Sequence, residues 1–181
     1  MASNQTEMSQ ATAGRDDHRP DDTTGGVPVA LQDGPGVPGM QVLHLCIPGK
    51  PIAQGRPRGF SPKNSPAIRF YDPQAKEKKQ VSWVMSGATN VRGISCPVIV
   101  TMEFIMPVVS GMLKKVRDQI AAGDIVPHVK KPDVDNMLKF YMDCVSMSGI
   151  WRDDSVVSCL YCRKYYGFDP RTEIRIEQTD G

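Results

Sequence analysis

Between Val134 and Met147 the residues Val134, Met137, Leu138, Tyr141, Met142 and Val145 recur at i, i+3, i+4, i+7, i+8 and i+11. That spacing puts six apolar side chains on one face of an α-helix, so the rest of the chain must supply a surface for the face to cover. Gly149 stops the helix, and the stripe turns Asp135, Asn136, Lys139 and Asp143 away from the core. Strands are the natural cover. Pro97–Met106 is β-branched and apolar with Glu103 as its only charge, which reads as a central strand. Val42–Ile47, closed by Pro48-Gly49, is a shorter one. Ser155–Tyr166 and Thr172–Glu177 flank the turn-rich Gly167–Arg171 and are expected to form a hairpin. Pro73 can open a helix over Lys76–Met85, with Val81, Val84 and Met85 on one side. A shorter helix over 111–123 carries Leu113, Val116, Gln119 and Ile120 along one side and ends at Gly123. The expected class is α+β: one domain over residues 41–181, a small mixed β-sheet packed by helices.

Residues 1–40 are different. They lack aromatics and large apolar clusters, so they cannot offset the entropy of ordering and are expected to be a disordered tail and linker. The tail sets Arg15 and Arg19 against Glu7, Asp16, Asp17, Asp21, Asp22 and Asp33. The chain's net charge of +2 therefore hides an acidic arm before a basic body, which permits a nucleic-acid partner without demanding one. No apolar run approaches the ~20 residues of a membrane span, and Met1–Asp22 holds no apolar stretch of the kind a secretory signal needs. Five cysteines, an odd number, point to reduced thiols in the cytosol rather than a disulfide framework.

Two pairs of carboxylates stand out. Asp133 occupies the position of a helix N-cap and Asp135 the first turn, where both suit the helix dipole; Asp135 and Lys139 are also spaced as an i, i+4 ion pair. Those structural duties are enough to explain them singly. Asp153 and Asp154 follow Trp151-Arg152 and could simply occupy a turn. If Asp133, Asp135 and Asp154 meet, however, three carboxylates cannot all stay ionised without a cation. An all-oxygen set with no His or Cys selects Mg²⁺ or Mn²⁺ over Zn²⁺. A hard divalent ion of that kind suits phosphodiester hydrolysis, and Lys139, one turn from Asp135, could stabilise the phosphorane.

The segments KPDVDNMLKFYMD, WRDDSVV and RKYYGFDPRTEIRI, with PGKPIAQGRPR ahead of them, closely resemble the RusA family of Holliday junction resolvases, phage and prophage members above all. The resemblance spans about residues 45–177 and leaves out residues 1–40. It implies that Asp133, Asp135 and Asp154 are the metal-binding catalytic acids and Lys139 the essential lysine, with Asn136, Asp143 and Asp153 in supporting places. It further implies a homodimer in a bacterial cytoplasm that nicks opposing strands of four-way DNA during recombination, repair or phage DNA processing, using Mg²⁺ or Mn²⁺. A branched-DNA binder that does not cut, and a flap- or fork-preferring nuclease of the same fold, are the alternatives.

Arg56, Arg58, Lys63, Arg69, Lys114, Lys115, Lys130 and Lys131 fall in loops or at element ends, where they could hold DNA phosphates without reading sequence. Phe60, inside the basic stretch 55–63, could insert at a junction centre but better suits packing its loop onto the body. Cys159 and Cys162 have zinc-like spacing, yet residues three apart on a strand face opposite sides, so free buried thiols are expected. Trp83 and Trp151 are expected in the core or at an interface.

Overall fold

The computed structural model describes residues 42–60 and 67–179. The expected disordered tail, Lys63 and the side chain of Phe60 lie outside the described residues. Four strands form the main sheet: β1 (Val42–Pro48), β4 (Val98–Pro107), β5 (Val157–Gly167) and β6 (Arg171–Gln178), in the order β1-β6-β4-β5. Between β1 and β4 come the short strands β2 (Arg58–Phe60) and β3 (Arg69–Tyr71) and the helix α1 (Ala75–Ala88). Helices α2 (Lys114–Ala121) and α3 (Val134–Ser148) and a 3₁₀ turn over Asp154–Val156 separate β4 from β5. The mixed α+β class is as expected.

Three details differ from the sequence reading. The basic stretch is not a plain loop: β2 pairs antiparallel with β3, so Arg58 faces Tyr71 and Phe60 faces Arg69. Nor do β5 and β6 form a hairpin. β4 lies between them, parallel to β5 and antiparallel to β6, because its run of buried apolar side chains takes the central place. The connection therefore crosses the end of β4, where a Cβ on Gly167 would collide with Ile105 Cγ2; only glycine fits that approach. Third, the buried face of α3 is rotated from the expected stripe. Met137, Phe140, Tyr141, Cys144, Val145 and Ser148 are buried, whereas Val134, Leu138 and Met142 are only half-covered.

That rotation follows from what grips the helix. The sheet holds one side through Phe104 and its neighbours, and α1 holds the other, with Ser82 Oγ donating to Cys144 O at 3.0 Å and Ser86 Oγ to Ser148 O at 3.2 Å. α1 consequently buries Lys78, Val81, Ser82, Met85 and Ala88, while Val84 is half-covered. On α2, Ile120 is buried but Leu113, just before the helix, is exposed. Trp151 belongs to the core and Trp83 lies on the surface. Cys144 is buried and Cys162 exposed, so the thiols on β5 are not the buried pair expected. No helix is long and apolar enough to cross a membrane among the described residues.

Candidate active site

α3 starts where Lys131-Pro132 delivers the chain to Asp133. Lys164, on β5, donates from Nζ to Lys130 O at 2.8 Å and to Pro132 O at 2.6 Å, pinning this approach to the far end of β5. His128 and Tyr166 complete the attachment: His128 N donates to Lys164 O, Tyr166 N to Val126 O, and the two rings meet at a 50° tilt with centroids 4.6 Å apart. Burial, with Lys164 nearby, holds the His128 imidazole below its ordinary pKa.

At this entrance the acids are left uncommitted. Asp133 has the extended backbone of an N-cap, yet its carboxylate makes no capping hydrogen bond and is exposed. Asp135, also exposed, meets Lys139 Nζ at 3.3 Å in an i, i+4 pair of two solvated side chains. Such a pair is worth about 0.3–0.5 kcal/mol and would yield readily to a ligand. Capping, the structural explanation for Asp133, is therefore not how this side chain is used.

Basic side chains ring the same end of the sheet. Lys50, just past β1, lines a cleft of about 210 Å³ with His128, Lys130, Lys131 and Tyr166. Gln54 N donates to Asn136 O at 2.8 Å, which ties the segment leading to the exposed Arg56 to the first turn of α3. Arg58 and Arg69 are exposed on the β2–β3 pair that continues from there, and Lys114 and Lys115 are exposed on α2, beside the β5–β6 connection at Phe168. Lys50 and Lys164 escaped the sequence reading. A lysine at position 164, on the helix-facing side of a strand between Cys162 and Tyr166, was the available signal, since charge rarely faces inward without a task.

The fourth expected residue is elsewhere. Asp154 opens the 3₁₀ turn before β5, beyond the other end of α3: Gly149 closes the helix with φ 74°, Trp151 bridges to Ile94, and Arg152 N donates to Ile94 O. α3 has 15 residues, a length of ~22 Å, and Val157 to Lys164 along β5 is ~23 Å. Asp154 thus stands on the order of 20 Å from Asp133 within one chain. Among the described residues no three His, Cys, Asp or Glu side chains are grouped to hold a metal ion. Asp153 and Asp154 also divide their labour. Asp153 Oδ1 accepts from Ser155 N at 2.9 Å, and these Ser155 hydrogen bonds draw its pKa down. Asp154 is exposed, and its carboxylate takes part in none of the hydrogen bonds or ion pairs among the described residues.

Asp143 is committed too. Together with Asp72 it holds the buried Lys78, at 2.7 and 2.6 Å. Asn136 contributes its backbone carbonyl to Gln54.

Two likenesses to known proteins bear on this site. Residues 48–177 match the family model described as "Endodeoxyribonuclease RusA". A protein of Bacillus subtilis (strain 168) described as "Uncharacterized protein YqaN" is 32% identical over 143 residues, covering 77% of this chain and 98% of the relative.

Proposed function

The chain belongs to the RusA endodeoxyribonuclease family, and from that premise we propose a metal-dependent, structure-selective endonuclease that resolves four-way DNA junctions as a homodimer. The observation that carries the reading is the idle carboxylate of Asp133: a residue placed to cap α3 leaves its side chain free beside Asp135, with no His or Cys to favour a softer ion. That donor set fits Mg²⁺ or Mn²⁺. Asp133 and Asp135 would hold the ion at this entrance, and Asp154, ~20 Å away within one chain, would complete the set from the other copy of the homodimer. When bound, it supplies Lewis acidity toward the phosphoryl oxygens and the attacking water.

The chain's own residues do the rest. Lys139, exposed one turn above Asp135, can leave its weak ion pair and place its ammonium against the charge that gathers on phosphorus-bound oxygens. Lys50, Lys130 and Lys131 offer three cations to backbone phosphates beside the acids, and Arg56, Arg58 and Arg69 extend that grip past the first turns of α3. Lys114 and Lys115 reach a neighbouring duplex arm from α2, and Lys63 adds to the charge of the β2–β3 stretch. In the reaction water oxygen bonds to phosphorus, the P–O3′ or P–O5′ ester bond breaks, and the departing oxygen takes a proton. Bacterial cytoplasm, where branched DNA arises in recombination, repair and phage DNA processing, is the compartment this activity implies.

The test is a substrate panel with purified protein: four-way junction, replication fork, flap and linear duplex, each with Mg²⁺, Mn²⁺ or chelator. Paired symmetric nicks in the junction, with a divalent ion and not without, are expected. Preference for fork or flap would reassign the substrate, and junction binding without cleavage under either ion would make the protein a binder.

A further inference from the structure

We propose that the groove around Trp83, between α1 and α3, receives this chain's own segment Val27–Leu31, with Asp21 and Asp22 reaching Lys79 and Lys76. None of these residues belongs to the cleavage site, so the docking holds or fails whether or not the protein cuts DNA.

Trp83 is 78% exposed, and Met147, across the seam on α3, is 55% exposed. Together with Lys76, Lys79, Ser82 and Ser86 they line a groove of about 680 Å³. Its floor suits an apolar occupant, because the Ser82 and Ser86 hydroxyls already donate to Cys144 O and Ser148 O. Its upstream end suits negative charge. Lys76 and Lys79 are exposed and take part in none of the ion pairs among the described residues. Glu77 stands ~100° round the helix, outside the groove's lining. An exposed indole beside a methionine, with two lysines at one end, is a surface shaped for an acid-flanked apolar partner.

The chain carries a segment of that chemistry. Residues 1–41 precede β1 and lie outside the described residues; within them Val27-Pro28-Val29-Ala30-Leu31 is the densest apolar run, with Asp21 and Asp22 shortly before it. In an extended strand Val27, Val29 and Leu31 fall on one side and span ~13 Å. From Lys79 to Ser86 along α1 is ~11 Å, so the three side chains match the groove's length. The family match over residues 48–177 does not include this arm, so the docking is a property of this chain's own N-terminal region.

The point of attachment fits as well. Val42, Ile99 and Cys159 share one level of the sheet through Glu177. α3 finishes at that end, since Arg152 N, just past the helix, donates to Ile94 O. α1 runs parallel to α3, with Ser82 against Cys144 and Ser86 against Ser148, which puts Trp83 and Met147 in the last two turns at the same end. The groove therefore lies on the order of 20 Å from Val42, one helix layer away. A Gly- and Pro-rich link such as residues 32–41 averages ~18 Å between its ends and reaches ~33 Å at full stretch. That tether sets an effective concentration on the order of millimolar, so a contact too weak for a separate peptide is occupied within one chain. With Leu31 nearest Met147, the segment runs away from β1 and brings the two aspartates toward the lysines.

Two experiments on the full-length chain decide it. Trp151 is 1% exposed, so subtracting the emission of Trp83→Phe isolates the Trp83 signal. Acrylamide is expected to quench Trp83 about three-fold less steeply in the wild type than in a Val27→Ser, Val29→Ser, Leu31→Ser chain, as for a segment docked most of the time. Asp21→Lys with Asp22→Lys should lose part of that protection, and adding Lys76→Glu with Lys79→Glu should restore it. Equal quenching in the wild type and the serine variant overturns the proposal, whether the indole is open in both or covered in both by a second copy or a nucleic-acid strand. No loss on charge reversal, or loss without rescue, overturns the placement of the two acids. In the second experiment a photoreactive benzoylphenylalanine at position 31 is irradiated. The expected product runs at single-chain mass on a denaturing gel, and its linked peptides join position 31 to the stretch holding Met147. A two-chain product, or a link to a surface away from α1 and α3, overturns the docking.

Discussion

Two clusters of lysines and aspartates touch the same helix and could hardly be used more differently. Where α1 packs on α3, Lys78 of α1 is 6% exposed at its side chain and meets Asp72 at 2.6 Å and Asp143 of α3 at 2.7 Å. Burial pulls the Lys78 pKa down, but the hydrogen bonds its ammonium donates to both acids outweigh that and the pKa stands above the ordinary lysine value. Asp72 is held below the usual carboxylate range, chiefly by Lys78 and by the backbone of Gln74. At the entrance, Asp133 has no side-chain cap bond, Asp135 has one loose pair, and the surrounding lysines face solvent. A cluster whose charges satisfy one another contributes to stability. A cluster whose charges are left over, at the same cost in like-charge crowding, is available to a ligand.

The largest effect that tests this contrast is on catalysis. Asp133→Asn is expected to lower junction cleavage by at least about 10²-fold, the scale of losing one charged group from a preorganised site. Thermal stability and junction affinity should barely move, because asparagine fits the cap position and the side chain holds nothing now. Asp153→Asn is the matched control: asparagine can also accept from Ser155 N, so cleavage should stay within about two-fold. Cleavage rates and melting curves for both variants check it. Equal losses at the two positions would mean that Asp133 is no more available than its capped counterpart.

How far this contrast could be read in the chain depends on the range of the interaction. The helix over Val134–Ser148 and its glycine stop were legible because a 3.6-residue period is a local signal. The residues facing inward were misjudged by a fraction of a turn: Phe140 and Cys144 are buried because α1 packs there, and nothing within the helix announces α1. Nothing local sets Lys78 apart from Lys76 and Lys79, because its partners lie 65 residues away at Asp143 and across the turn at Asp72. The β5–β6 hairpin was expected from a short, turn-rich link, and failed because β4 competes better for the position between them. At the site, acid identities came from motif and spacing, while the separation of Asp154 from Asp133 depends on the direction of β5, which spacing does not encode.

The paired cluster gives the next effect, on stability. Lys78→Met keeps the bulk of the side chain but strips both aspartates of their cation. They are partly exposed and can turn to water, so the expected cost is about 1–3 kcal/mol, below that of a wholly buried pair. The wild type should also show the matching pH response. Asp72, with its pKa lowered on folding, contributes stability that is present above its unfolded pKa and fades as pH falls through the lowered folded value. Lys78, with its pKa raised, contributes stability that is whole below 10.5 and fades as pH rises through the raised folded value. Urea unfolding across pH should find both limbs flattened in Lys78→Met, with the remaining catalytic activity per folded molecule unchanged. A loss of activity per folded molecule as large as that of Asp133→Asn would erase the distinction between the two clusters.

The smallest effect belongs to the lysines around the entrance, and its form matters more than its size. Lys50, Lys130 and Lys131 line one cleft, and each is expected to touch a phosphate rather than a base. Replacing such a contact removes one released counterion, so the slope of log affinity against log salt should become shallower by about 0.9 for each lysine changed to alanine. At moderate salt that is only a few-fold in junction affinity, spread evenly over junctions of different sequence. Lys164→Met should act otherwise. Its ammonium is already bound to two backbone carbonyls, so losing it loosens the approach to Asp133 and lowers the cleavage rate while leaving the salt slope nearly intact. Fluorescence-anisotropy titrations at several salt concentrations, read beside single-turnover cleavage, separate these behaviours. A shallower slope for Lys164→Met, or an unchanged one for Lys50→Ala, would show that the cleft's free cations and its committed one had been assigned the wrong way round.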